Sequence, residues 1–374
     1  MKQKLYRLTT ISCSFNELLK GQLAYMNNYY DVTAVASDTG TLNEVGREQG
    51  VTTINIPMAR EISPWQDVKS LVALYKLFRR DKPHIVHVNT PKASLLGMVA
   101  AWLARVPKRV YTVTGLRFET TSGLLRFTLK SMERITCLCA TRVVPEGDGV
   151  RDTLRRERIT NKPLRKIHNG NINGIDLHHY DRTQEVIDRA NMLSSNKFTF
   201  LFVGRIVKDK GVNELVSAFD KLSSTNNNIR LVLVGRFEDK LDPISAESRD
   251  IIERNPDIVV AGYQNDVRPY IAASDILVLP SYREGFPNVV LQAGAMGLPC
   301  IVSDINGCNE IIIDGENGTI IPPQNVDTLY EAMNEAVTNP NKISSMANIA
   351  REMVASRYEQ REVWQATLEM YNTL

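Results

Sequence analysis

Runs of β-branched and other apolar residues recur along the chain, with segments of helical period between them. In the first half they are Leu5 to Ile11, Val32 to Ala36, Thr53 to Ile56, Ile85 to Asn89 and Val110 to Thr114. Short apolar runs alternating with helices predict a parallel sheet. A polar stretch rich in Asp, Asn and Arg follows, from about Gly170 to Asn196, and the pattern restarts with Phe198 to Val203, Leu231 to Val234, Ile258 to Ala261 and Ile276 to Leu279. The fold class is therefore α/β, with two doubly wound domains expected over 1–170 and 197–357 and a linker over 171–196. A final helix over 358–374 carries Trp364, Leu368 and Tyr371 at helical spacing, which predicts that it packs against something.

Two helices stand out from the rest. Apolar spacing from Val68 to Phe78, ending in Arg79, Arg80 and Lys82 before Pro83, gives an amphipathic helix with cations at its negative end. Between Ser122 and Ala140, Arg126, Lys130 and Arg134 repeat every fourth residue beside Leu124, Leu125, Phe127, Leu129, Met132 and Leu138. Such a helix either packs on the sheet with a solvated cationic edge or lies on a membrane surface, where each cation contributes about 1 kcal/mol.

Composition narrows the class. With 374 residues, 43% of them hydrophobic and 23% charged, the chain is neither disordered nor collagen-like, and its length suits two domains. The formal net charge of +3 hides an asymmetry: residues 1–170 carry 27 Lys+Arg against 14 Asp+Glu, the remainder 18 against 28. A balance of +13 points the first half toward anionic lipid or phosphate. Five cysteines (Cys13, Cys137, Cys139, Cys300, Cys308) form no CxxC pair and are expected as buried thiols. The longest apolar run, Leu95 to Ala104, is about half of the ~20 residues that span a bilayer, and no secretory signal precedes the first strand, so a cytoplasmic location is expected.

In open α/β sheets ligands bind beyond the carboxyl ends of the strands. After Phe198 to Val203 the chain reads Gly204-Arg205-Ile206-Val207-Lys208-Asp209-Lys210-Gly211, where Arg205 and Lys210 can give charge-assisted hydrogen bonds to a diphosphate. Neither a G-x-G-x-x-G nor a Walker motif is present, which argues against dinucleotide oxidoreductases and ATPases. After Ile276 to Pro280 comes Ser281-Tyr282-Arg283-Glu284-Gly285-Phe286-Pro287-Asn288 and then an apolar helical run, with Pro287 where a helix begins. Backbone N–H groups at that start suit an anion, and Glu284 can accept from sugar hydroxyls. A third turn, Ser303 to Gly307, reads mainly as turn chemistry. On the N-terminal side Asn89-Thr90-Pro91-Lys92 and Thr114-Gly115-Leu116-Arg117 each close a strand, where Lys92 and Arg117 can meet an acceptor phosphate. His84 and His87 point to opposite faces of a strand, and no Asp-x-Asp pair exists to hold Mg²⁺ or Mn²⁺, so no metal and no cofactor is expected.

Together these residues resemble the family 4 retaining glycosyltransferases, which have the two-domain GT-B fold. Phe15 to Gln22, Ile56-Pro57-Met58, Ile62-Ser63-Pro64, Thr90-Pro91-Lys92, Gly115-Leu116-Arg117-Phe118-Glu119 and Asn173-Gly174-Ile175-Asp176 are similar to a branch that builds capsules and lipid-linked oligosaccharides. The resemblance implies two Rossmann-like domains facing a central cleft, with a C-terminal helix returning to the N-terminal domain. It also implies transfer of a hexose or N-acetylhexosamine from a nucleotide sugar, UDP first, to an undecaprenyl-diphosphate-linked saccharide. Arg205 and Lys210 would grip the donor diphosphate, Glu284 would hold the transferred sugar, and Gly204 and Gly285 to Asn288 would complete the donor site. The family places a second glutamate where this chain has Gln292, and commonly a histidine where it has Thr114. An anionic inner-leaflet surface is the partner expected for Arg126, Lys130 and Arg134, with the protein peripheral on the inner face of the cytoplasmic membrane and no nucleic acid bound.

Two rivals remain at this point. A sugar-nucleotide epimerase of the same shape would also grip a diphosphate, but it needs titratable groups that the N-terminal strand ends supply sparsely, chiefly Glu119, Glu146 and Asp148. A silent glycan-binding module would explain Gln292 and Thr114 as decay.

Overall fold

The computed structural model describes residues 2–59, 63–239 and 242–374. The chain forms two compact units, one of residues up to Gly174 together with Gln360–Leu374, the other of Ile175–Glu359. Of the stretch expected as a linker, 171–174 lies in the first unit. Residues 175–196 lie in the second, where Gln184–Leu193 is a helix capped by the Thr183 hydroxyl and buries Val186 and Ala190.

The first unit is built on six parallel strands: β1 (Lys4–Ile11), β2 (Asp31–Ser37), β3 (Thr52–Asn55), β4 (Ile85–Val88), β5 (Lys108–Val113) and β6 (Arg142–Pro145). Their order is β3-β2-β1-β4-β5-β6, so the winding reverses between β1 and β4. Successive residues of each strand point to opposite faces, and both faces are buried. Tyr6, Leu8, Val86, Val88, Tyr111 and Val113 enter the core beneath the Pro64–Asp81, Pro91–Leu103 and Gly123–Cys139 helices. Leu5, Ile85 and Val110 enter the opposite core, with Phe15, Leu23, Met370 and Tyr371. That two-sided burial is why the strands read as near-continuous apolar runs.

The Gln360–Asn372 helix closes the second face. The Trp364 indole N–H donates to Asn173 Oδ1 at 2.7 Å, and its ring lies against Gly21, where φ is +81° and a Cβ would meet it at 2.7 Å. Tyr371 accepts from the buried Arg7 at 2.8 Å. His87 bonds Thr112 at 2.7 Å, and burial beside Arg7 pushes its imidazole pKa down. This histidine is a neutral core residue.

The second unit repeats the plan with β7 (Phe198–Val203), β8 (Ile229–Val234), β9 (Ile258–Gly262), β10 (Ile276–Leu279), β11 (Cys300–Ser303) and β12 (Gly318–Ile321), ordered β12-β11-β10-β7-β8-β9. Its winding reverses between β7 and β10. β6 and β12 were not anticipated. Each has four residues at a sheet edge, one ending in Pro145, the other starting at Gly318 directly after turn-forming residues, so neither shows a periodic run. All five cysteines are free, and four of them are buried. Among the described residues no helix is long and apolar enough to cross a membrane.

Candidate functional site

Three loops meet at the carboxyl ends of β7, β10 and β11, at the switch point of the second sheet. The loop after β7 is pinned at its centre by buried Ile206 and Val207, with the Ile206 N–H donating to the Arg236 carbonyl at 2.9 Å. This anchoring leaves Arg205 at the surface and Lys210 partly buried. Gly211 then opens the Val212–Ser223 helix in the left-handed region, φ +69°, and a Cβ there would sit 2.0 Å from the Pro280 carbonyl oxygen. Only glycine permits so close an approach of the β7 and β10 loops.

The contact is consolidated through Asp209, whose carbonyl accepts from the Tyr282 N–H at 2.9 Å and the Ser281 hydroxyl at 3.2 Å. Its carboxylate accepts from Arg283 at 3.2 Å, and its N–H donates to Asp242 at 2.7 Å. Across this seam the Lys210 ammonium donates to Glu284 Oε1 in an ion pair whose side chains are only 21% and 14% exposed. A cation and a carboxylate, held by two adjacent strand ends, are thereby fixed side by side. The β11 turn closes against the same loop: Gly307, φ +76°, would place a Cβ 2.5 Å from the Gly285 carbonyl oxygen.

The remaining donor-side residues fall around this pair. Pro287 is the N-cap of the Asn288–Ala295 helix, one residue earlier than a proline at the first helical position. Phe286 is buried and meets the Tyr358 ring edge-on at 5.4 Å between centroids. Gln292 lies one turn beyond Asn288, half-buried. Arg205 is 56% exposed and pairs with Glu238 rather than with Glu284. Sequence reading missed Glu238, Asp242 and the bond from the Tyr282 hydroxyl to Glu214 at 2.6 Å, which with burial drives the tyrosine pKa up. Each of these lies more than thirty residues from its partner in sequence. Asp209 was visible within the Lys208-Asp209-Lys210 run, yet nothing local marks it as the seam.

In the first unit, Lys92 and Arg117 come together in one pocket, while Thr114 does not line it. The Thr114 hydroxyl donates to the Asn89 carbonyl at 2.6 Å. The Asn89 side chain is buried, with neither polar atom hydrogen-bonded among the described residues. Lys92 donates to both oxygens of Asp67 at 2.7 Å. The pocket holding Lys92 and Arg117 is small, about 70 Å³, and is walled by Leu95, Phe118, Leu129 and Met132. Glu133 also faces it and accepts from the Tyr111 hydroxyl at 2.7 Å; burial raises its carboxyl pKa to about 7.

The cationic face of the Gly123–Cys139 helix does not stand free in solvent. Arg126 and Lys130 both donate to Glu157, at 2.9 and 2.6 Å, and Arg134 reaches the Glu157 and Arg158 carbonyls at 3.4 Å. What the helix exposes instead is apolar: Leu124, Phe127 and Leu138 are 80%, 64% and 74% exposed. Ile62, part of one motif in the family resemblance, lies outside the described residues; Ser63 and Pro64 of that motif start the Pro64–Asp81 helix. Among the described residues no cluster of His, Cys, Asp or Glu is arranged to hold a metal ion.

Two Rossmann-like units, each with a sheet of six parallel strands, give the chain the two-domain α/β architecture of the GT-B class. Residues 23–170 match the family description "Glycosyl transferase 4-like domain" and residues 183–353 match "Glycosyl transferases group 1". The chain belongs to this glycosyltransferase family and is a glycosyltransferase. It is 30% identical over 378 aligned positions to the capsular polysaccharide biosynthesis glycosyltransferase CapM of Staphylococcus aureus, covering 99% of this chain and 97% of the relative. It is 29% identical to the UDP-Gal:α-D-GlcNAc-diphosphoundecaprenol α-1,3-galactosyltransferase of Escherichia coli, covering 89% of this chain and 86% of the relative. In fold it matches Anabaena HepE in complex with UDP and glucose, with a TM-score of 0.82 at 18% identity over the whole of both chains.

Proposed function

We propose that the protein moves a hexose or N-acetylhexosamine, with retention, from a nucleotide sugar to an undecaprenyl-diphosphate-linked saccharide during assembly of a capsule, O-antigen or exopolysaccharide. The observation that carries this reading is the Lys210–Glu284 pair at the ends of β7 and β10. The names of the capsule and diphosphoundecaprenol relatives support the acceptor class. UDP is the proposed carrier, with the base read by backbone around Gly262 to Gln264.

The donor diphosphate lies against Lys210, Arg205 and the backbone from Gly204, while Glu284 accepts hydrogen bonds from hydroxyls of the sugar, and Gly285, Phe286, Pro287 and Asn288 shape the turn that holds it. Gln292 bonds the ribose as donor and acceptor at once. The bond from the anomeric carbon to the phosphate oxygen breaks, a bond to the acceptor oxygen forms on the same face, and the acceptor proton passes to the departing phosphate. The negative charge that grows on the nucleotide is what Lys210 and Arg205 stabilise, an effect of ~100- to 1000-fold in rate for a preorganised donor. No protein nucleophile and no metal takes part. Lys92, Thr114 and Arg117 form the acceptor side in the first unit.

Peripheral attachment to the inner face of the cytoplasmic membrane fits the Gly123–Cys139 helix. Two cations share the single Glu157 carboxylate and Arg134 bonds only carbonyls, so net positive charge remains for lipid headgroups beside exposed Leu124 and Phe127. Co-flotation with phosphatidylglycerol vesicles that weakens in Arg126→Gln/Lys130→Gln supports the attachment; co-flotation that the variant leaves unchanged removes the role of the cations.

The activity is tested by mass spectrometry, screening UDP- and GDP-sugars against a short undecaprenyl-diphosphate saccharide. Transfer from one donor, weakened about 100-fold in Glu284→Ala, is expected. Epimer formation without acceptor, or nucleotide binding with no transfer across the panel, contradicts it.

A further inference from the structure

A second depression of the first unit, about 310 Å³, lies where the Pro64–Asp81 and Pro91–Leu103 helices turn into β4 and β5. It is at the end of the sheet opposite to Lys92 and Arg117, which follow the carboxyl ends of the same two strands. Its base is fixed. Phe78 and Val106 are buried, the His84 N–H donates to the Lys4 carbonyl at 3.0 Å, and the Lys108 N–H donates to the His84 carbonyl at 3.2 Å. Arg79, Lys82 and Arg105 line the depression, and none of the described residues lining it carries a carboxylate.

These cations are gathered without a counter-ion. The Arg79, Lys82 and Arg105 side chains make no hydrogen bond or ion pair among the described residues. Asp81, beside Lys82 in sequence, is taken by Arg80 at 2.7 Å and by the Tyr6 hydroxyl at 2.7 Å. Burial, and then the Lys108 ammonium, push the His84 imidazole pKa down, so the ring is a neutral N–H donor at pH 7.

Cations near a helix end often serve the helix dipole and cap its last carbonyls. Lys162 does so for the Gly123–Cys139 helix, donating to the Cys137, Leu138 and Ala140 carbonyls. The cations of the depression bond no carbonyl. Lys82 and Arg105 also hold their backbones in the left-handed region, φ +49° and +60°, where glycine is the usual residue. A cation is kept at each position in spite of backbone strain, and the like charges repel one another.

We infer that this depression binds a phosphate group with two or more negative charges, a phosphate monoester or a diphosphate. The Arg79 and Arg105 guanidiniums each offer a planar fork to its oxygens, and Lys82 adds a point charge. The site is separate from the proposed transfer and does not depend on it. Exposed Trp102 and Leu103, in the last turn before Arg105, border it, so a soluble ligand and a lipid headgroup are the two sources to tell apart.

The full chain is labelled with 5-fluorotryptophan, and Trp65, Trp102 and Trp364 are followed by fluorine NMR. Inorganic diphosphate is expected to shift the Trp102 resonance saturably, whereas chloride at the same ionic strength does not. In Lys82→Gly/Arg105→Gly, glycine takes both left-handed positions, so charge is lost without added strain, and the affinity read at Trp102 should fall about tenfold or more. Arg79→Gln, which leaves both turns untouched, should weaken it in the same direction. Phosphatidylcholine vesicles with and without phosphatidic acid then separate the sources. Co-flotation that needs phosphatidic acid and is lost in the double variant assigns the phosphate to a lipid; diphosphate binding without such co-flotation assigns it to a soluble ligand. No saturable shift with diphosphate, an equal shift with chloride, or an affinity that both variants leave unaltered overturns the inference.

Discussion

The donor-side seam of the second unit and the pocket of the first are made of opposite materials. The seam is a set of charged and polar groups locked to one another: Lys210 to Glu284, Arg283 to Asp209, Tyr282 to Glu214. Its residues come from two turns that glycine allows to touch. The pocket sets apolar walls of Leu95, Phe118, Leu129 and Met132 beside Asp67, Lys92, Arg117 and Glu133, and its lining comes from three helices and the turn around Phe118. A preorganised charged site suits stabilising charge that appears during a reaction, because its groups are already oriented when that charge develops. An apolar wall suits holding a body that does not react.

If that division is right, damage to the seam strikes chemistry and damage to the pocket strikes recognition. The largest effect is expected from Glu284→Ala, which removes a charged acceptor from sugar hydroxyls: kcat/KM should fall by about 100-fold, as steady-state kinetics with the best donor will show. A loss confined to the KM for the lipid acceptor would blur the contrast. Next comes Gly211→Ala. A side chain at φ +69°, facing the Pro280 carbonyl, should cost about 3 kcal/mol in a urea denaturation and separate the two loops, so stability and donor binding fall together. Unchanged stability would mean that the approach of the loops is not tight.

The smallest effect belongs to the pocket. The folded protein holds the Glu133 proton up to about pH 7, whereas an ordinary glutamate releases it near 4.5. The folded state therefore binds more protons than the unfolded chain across this window, and stability falls as pH rises from about 4.5 to 7. Glu133→Gln should flatten that slope in denaturation curves taken across the range. An unaltered slope would place the titration elsewhere.

Much of the seam was legible in sequence because chemistry at strand ends sits in short, dense runs: Gly204 to Gly211 and Ser281 to Asn288 each follow a clear apolar strand. The pairing of Lys210 with Glu284 was not, since it depends on which strands are neighbours, and β7 lies beside β10 only through the reversal of winding. The same limit hid Glu238 behind Arg205. Helical period revealed the Gly123–Cys139 helix and its cations at every fourth residue, but not which side faces inward. Glu157, twenty-three residues past Arg134, draws Arg126 and Lys130 toward it and leaves Leu124 and Phe127 outside. The pocket was the least legible feature, because Leu95 lies on one helix and Leu129 and Met132 on another, and nothing in the sequence says that these two helices are neighbours.

The central claim is that Lys210 stabilises charge on the departing nucleotide. Single-turnover transfer by Lys210→Ala, with donor affinity measured in parallel, tests it most directly. A fall of ~100- to 1000-fold in the chemical step, well beyond any loss of donor affinity, is the predicted result. A variant that transfers sugar at the unaltered rate once saturated with donor would contradict it.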